Sequence, residues 1–154
     1  MYTSALLWNG ISNRVYVNVS QGEALLRSDD AFNVNVYRIL EEERDENLRG
    51  LFIARGSTSV DDHWSLGEIQ MNDGAWRGDP GMHSQRLENR QAVFIHEVGH
   101  ALKLNHPNEV TPGWSPVSIM LGEVSLPHTV IGSSLMPIRP QGYDKFNLIM
   151  KWGR

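Results

Sequence analysis

The chain has 154 residues, 40% of them hydrophobic and 21% charged, with a formal net charge of −4. That length suits one domain with a real core, and the composition is that of an ordinary globular protein, which argues against disorder. The negative balance offers no electrostatic basis for binding nucleic acid or an anionic membrane, and the absence of cysteine excludes disulfides and any cysteine-ligated metal.

No run of apolar residues is long enough to cross a membrane. Residues 1–10 lack a basic opening and a long apolar stretch, so no signal peptide is read there. A cytoplasmic protein and a mature secreted domain both remain open, and a monomer is expected. Arg14-Val15-Tyr16-Val17-Asn18-Val19 places valines at alternate positions, the pattern of a strand with one buried face. Ser20-Gln21-Gly22-Glu23 reads as a capping box, with Ser28 as a rival cap. The helix expected to follow carries Leu25, Phe32, Val36, Ile39 and Leu40 at roughly helical spacing and ends in the charged run 41–46, a solvated helix end. Leu51-Phe52-Ile53-Ala54 suits a short buried strand, and strand, helix and strand in this order suggest a right-handed parallel crossover.

Residues 56–62 form a polar loop. Leu66-Gly67-Glu68-Ile69-Gln70-Met71 reads as a further strand, ended by Asn72-Asp73-Gly74. Residues 74–84 are rich in glycine and proline, hence loop. Ser84 can cap a long helix whose apolar stripe is Leu87, Gln91, Phe94, Ile95, Val98 and Leu102. Asn105-His106-Pro107 ends it, because proline cannot continue a helix. From Asn108 onward the chain is poor in regular periodicity and rich in proline and glycine.

The chemistry is concentrated in that long helix. Within His96-Glu97-Val98-Gly99-His100-Ala101-Leu102-Lys103-Leu104-Asn105-His106 lie three of the six histidines. His96 and His100 are four apart and share a helix face, where two imidazoles can bind one divalent cation. If the chain turns back after the helix, His106 supplies a third nitrogen. Zinc fits this set best, since catalytic zinc takes three protein ligands and leaves a fourth position for water. Glu97 then stands where its carboxylate reaches that water and not the metal. A single histidine on an apolar helix is usually a satisfied core residue. Three of them with a glutamate between need partners, because unpaired buried polar groups cost several kcal/mol.

Residue for residue the motif resembles that of the metzincin zinc endopeptidases, H-E-x-x-H-x-x-G-x-x-H followed by a methionine turn, and the chain is most similar to a minimal matrixin-like catalytic domain. The ligand positions match at His96, His100 and His106 and the general base at Glu97; the family's glycine is Lys103 here. The resemblance implies an α+β, zincin-type fold in one catalytic domain. It has a twisted, mostly parallel sheet with an edge strand, a backing helix, the active-site helix, and an irregular C-terminal part closed by a helix. The upper part would span residues 1–104 and the lower part 105–154. It implies that Gly67, Glu68, Ile69 and Gln70 form the edge strand that pairs with an extended peptide substrate. Ser118-Ile119-Met120 and Ser134-Leu135-Met136-Pro137 both resemble the methionine turn. Residues 143–153 resemble the matrixin closing helix, and Met120 is preferred because it leaves 22 residues before Tyr143 for a specificity pocket, where Met136 leaves six. With Gly122 two residues after it, no tyrosine assists from that position. Matrixins also carry structural calcium or a second zinc near the region that here holds Asp61, Asp62, His63, Asp73, Asp79 and His83, but no ligand is assigned among them.

The implied activity is zinc-dependent hydrolysis of peptide bonds in a peptide or protein substrate, with Glu97 as general base. Two other readings stand beside it. One keeps the zinc and replaces His106 by Glu123 as third ligand, as in thermolysin-like enzymes. The other is a protease-fold module that binds peptides without cutting them.

Overall fold

The computed structural model describes residues 2–19, 33–39, 49–55, 66–72, 83–107, 117–121 and 138–154. The chain divides into two compact units, one formed by Ser20–Asp79 and the other by Met1–Val19 with Pro80–Arg154. This differs from the expected division at 104/105. The second unit takes in residues on both sides of that boundary, because hydrogen bonds join the closing helix to the residues just after the motif helix.

In the first unit three strands form one sheet: β1 (Asn33–Ile39), β2 (Gly50–Arg55) and β3 (Leu66–Asn72), in the order β1-β3-β2. β1 pairs with β3 in parallel, Val36 opposite Ile69, and β2 pairs with β3 antiparallel, Phe52 opposite Ile69. Two expectations change. Residues 33–39 are a strand and not part of a helix. Val34 and Val36 alternate with Asn33 and Asn35, and β-branched side chains at period two favour a pleated strand over the helical spacing that Phe32, Val36, Ile39 and Leu40 also satisfy. The segment Gly67, Glu68, Ile69 and Gln70 is the middle of the described sheet and not its edge. Ladders on both sides occupy its backbone groups, and Ile69 and Met71 are fully buried. The described ladders are thus one parallel and one antiparallel.

The second unit opens with a 3-10 helix, Tyr2–Trp8. Three residues per turn stack positions i and i+3, which places Ala5 and Trp8 together on the buried side and leaves Leu6 and Leu7 exposed. The expected strand over 14–19 is absent from the described ladders, and its place in the fold has a local cause. The Asn9 side-chain amide donates to the Val17 carbonyl at 2.8 Å, and the Val17 amide donates to Asn9 Oδ1 at 2.6 Å. One side chain thus satisfies both backbone groups that a neighbouring strand would have used.

Helix α1 (His83–Ala101) carries the motif and is about 28 Å long at 1.5 Å per residue. It begins one residue before the expected cap, so Ser84 lies inside it. Ala92, Phe94, Ile95, Val98 and Ala101 form its buried stripe, while Leu87 is exposed. The 3-10 helix packs against it, with Trp8 Nε1 donating to the Ile95 carbonyl at 3.1 Å. Helix α2 (Gly142–Trp152) closes the chain and buries Asp144 and Leu148. Ser12 Oγ donates to the Gly153 carbonyl at 2.6 Å and ties the two ends of the unit together. No described helix is long and apolar enough to cross a membrane.

Candidate metal centre

α1 stops where the motif needs it to stop. The Leu104 amide donates to the Gly99 carbonyl and the Lys103 amide to the His100 carbonyl, at 3.0 and 2.9 Å. These are the two bonds of a Schellman turn, which demands a left-handed residue at the position Lys103 occupies. Lys103 adopts it, with φ 64°, the sole non-glycine residue with positive φ among those described. Left-handed backbone costs an L-residue about 1–2 kcal/mol. Compensation comes from α2: Trp152 Nε1 donates to the Leu102 carbonyl at 2.9 Å, and Lys103 Nζ lies 5.9 Å over the Trp152 ring. A cation over an indole contributes about 0.5–1 kcal/mol at a partly exposed site. Lysine therefore holds the left-handed position without loss of the turn.

With the helix ended there, His106 comes back to His96 and His100. The three Nε2 atoms form a triangle with every side 3.0 Å. The rings converge from different directions, with interplanar angles of 85°, 67° and 37°. Hydrogen bonding on the far side of two rings fixes which nitrogens point inward. His96 Nδ1 faces the Ile119 carbonyl at 2.7 Å and His100 Nδ1 faces the Leu104 carbonyl at 2.8 Å. A carbonyl only accepts, so both Nδ1 atoms carry the proton and both Nε2 atoms present lone pairs. Two lone pairs at 3.0 Å repel unless a cation lies between them. Zinc–nitrogen bonds of about 2.0–2.1 Å would set tetrahedral ligands about 3.3 Å apart, so the donor set fits a small divalent ion with an adjustment of a few tenths of an ångström. His96, His100 and His106 thus lie close enough to bind a metal ion.

Burial, then the neighbouring His100, and less strongly His106, depress the His96 pKa to about 3 from 6.5, against an opposing contribution from the Ile119 carbonyl. The ring is therefore neutral across the physiological range, as a ligand must be. His96, His100 and His106 are each of intermediate exposure as whole residues. Glu97 lies on α1 beside His96 and is buried.

Met120 sits beneath the ligand helix. A Cβ added to Gly99 would lie 2.2 Å from Met120 Sδ and 3.0 Å from Trp8 Cζ2. Glycine between the two ligand histidines therefore lets a thioether and an indole approach the helix backbone. The turn bearing Met120 is fastened to α2: Asp144 accepts from Ser118 Oγ, from the Ile119 amide at 3.0 Å and from the Gln141 amide at 2.7 Å. Ser118 Oγ in turn accepts from the Met120 amide at 2.9 Å.

His96, Glu97, His100, His106 and Met120 thus fall in one compact unit, and Gly67–Gln70 fall in the other. His83 opens α1. Glu123, Met136, Gly122, Asp61, Asp62, His63, Asp73 and Asp79 lie outside the described residues. Sequence reasoning missed Trp8, Asp144 and Trp152. Asp144 had a signal, an acid in the first turn of the closing helix; the two tryptophans had none, since both act on backbone atoms remote in sequence.

No family model matches the chain, and neither the curated proteins nor the solved structures contain a match to it.

Proposed function

We propose that the protein is a zinc-dependent endopeptidase of metzincin-like architecture. The observation that carries the reading is the triangle of inward-facing Nε2 atoms, two of them with lone pairs fixed by hydrogen bonding, with Glu97 between His96 and His100 in sequence. A zinc ion held there supplies Lewis acidity, polarising a carbonyl and bringing the pKa of a water to about 7. Glu97 takes the proton of the attacking water and delivers it to the leaving amine. The Ile119 and Leu104 carbonyls keep His96 and His100 in the tautomer whose Nε2 presents a lone pair. His106 within 3.0 Å of both other ligands favours it over Glu123 as the third ligand.

The test is cleavage of a quenched-fluorescence peptide library by the full chain loaded with one equivalent of zinc, with and without a chelator. Glu97→Gln is expected to keep the metal and lose activity by orders of magnitude. Full activity in that variant removes Glu97 from the mechanism. Peptide binding with no cleavage, insensitive to chelator, would replace the reading with that of a binding module.

A further inference from the structure

We propose that α2 sets the aim and donor strength of the metal ligands, with Asp144 at its first turn acting on His96 and Trp152 at its last turn acting on His100 and His106. The proposal rests on the metal-site reading above. Both are positioning residues: neither belongs to the ligand set.

The Asp144 arm is a continuous relay. Its carboxylate is fully buried and accepts from the Ser118 hydroxyl. The same hydroxyl oxygen accepts the Met120 amide at 2.9 Å. That N–H and the Ile119 carbonyl belong to one planar peptide unit, so fixing the first fixes the direction of the second. The Ile119 carbonyl meets His96 Nδ1–H at 2.7 Å, and His96 Nε2 is the donor atom. Successive hydrogen bonds in a low-dielectric interior polarise one another. A buried negative charge at the end of this chain therefore strengthens the Ile119 acceptor and makes the His96 imidazole a stronger donor. The second Asp144 oxygen accepts the Ile119 amide, which prevents the turn from swivelling about its own axis.

The Trp152 arm works through the backbone. Its indole N–H holds the Leu102 carbonyl, and its ring lies under the Lys103 ammonium. Those contacts stabilise the left-handed Lys103 on which the turn depends. The turn places the Leu104 carbonyl against His100 Nδ1–H and starts the path that returns His106. One helix, reaching the site at both of its ends, thereby governs all three ligands.

The experiment uses the full chain, stripped of metal. Zinc affinity is read by competition with a chromophoric chelator, and ligand geometry by the visible spectrum of the Co(II)-loaded protein. Asp144→Asn removes the carboxylate and leaves an amide N–H₂ facing either the two backbone N–H donors or the Ser118 hydroxyl, which must then turn its proton away and so break the relay. Zinc affinity is expected to fall about 10–100-fold, the usual cost of losing a hydrogen-bond partner of a ligand, with a shifted Co(II) spectrum and one metal still bound per chain. Ser118→Ala breaks the relay more gently and serves if Asp144→Asn does not fold; it too should lower affinity and shift the spectrum. Trp152→Phe keeps a ring under Lys103 and removes the N–H, and a fall in affinity is again expected. Val15→Ala is the control, a buried apolar residue that belongs neither to the ligand set nor to either hydrogen-bonded arm and whose truncation lowers stability; its affinity and spectrum should match wild type. Wild-type affinity and spectrum in the Asp144, Ser118 and Trp152 variants would overturn the role of α2 while leaving the metal site standing. An equal loss in Val15→Ala would overturn it also, by reducing the effect to general destabilisation. If wild-type protein binds neither zinc nor Co(II), the site reading itself fails.

Discussion

Gly99→Ala is the sharpest packing test, because two physical effects pull it in opposite directions. Glycine inside a helix is about 1 kcal/mol less favourable than alanine, so on an exposed helix the change would stabilise. Here the added Cβ meets Met120 Sδ at 2.2 Å, Met120 Cε at 3.1 Å and Trp8 Cζ2 at 3.0 Å. Ordinary carbon contacts lie near 3.5–4.0 Å, so the sulfur must retreat by about 1.3 Å or more. Trp8 and Met120 are both fully buried, which leaves the retreat to be taken up by the turn that holds His96. Overpacking of this kind costs about 1–3 kcal/mol. Net of propensity, the expected loss is about 0–2 kcal/mol, a fall of up to about 8 °C in melting temperature for a domain of this size. The decisive assay is a double-mutant cycle by urea denaturation. Met120→Ala alone should cost about 2–5 kcal/mol. In that background Gly99→Ala should become neutral or stabilising, a coupling of about 1–3 kcal/mol. Additive effects, or a wild-type background stabilised by Gly99→Ala, would refute the close approach of Met120 to α1.

Lys103→Val should be about 1–2 kcal/mol less stable than Lys103→Gly, since a β-branched residue tolerates φ 64° poorly and glycine adopts it freely; equal stabilities by urea titration would mean the left-handed turn is not maintained. In the metal-free protein His96 is held at about 3 when folded and returns to 6.5 when unfolded. The unfolded chain therefore takes up a proton the folded chain refuses, and stability present above pH 6.5 is lost as pH falls toward 3, at up to about 1.4 kcal/mol per pH unit. Urea midpoints between pH 7 and 4 should show that slope flattened in His96→Ala, and an unchanged slope would contradict it.

Some of this architecture could be read from the residues and some could not, for physical reasons. The ligand spacing was legible because helical geometry is local: four residues bring two side chains to one face whatever surrounds the helix. Lys103 was harder. Local preference argues against a left-handed lysine, and the compensation comes from Trp152, 49 residues further along the chain. Two separate readings of the sheet gave way. Residues 33–39 satisfy a helical and a strand period at once, and the strand period holds; the edge position expected for Gly67–Gln70 came from the metzincin resemblance, and pairing with β1 on one side and β2 on the other puts that segment in the middle of the described sheet. The valines of 15–19 alternate as a strand would, but alternation cannot reveal that the Asn9 side chain already occupies the Val17 backbone.

Three imidazole nitrogens meet at one point, and calorimetric titration of metal-free protein with zinc tests most directly whether they bind an ion there. One ion per chain should bind in wild type, and binding should weaken by orders of magnitude in His96→Ala, His100→Ala and His106→Ala alike. No binding by wild type, or binding untouched by His106→Ala, would contradict it.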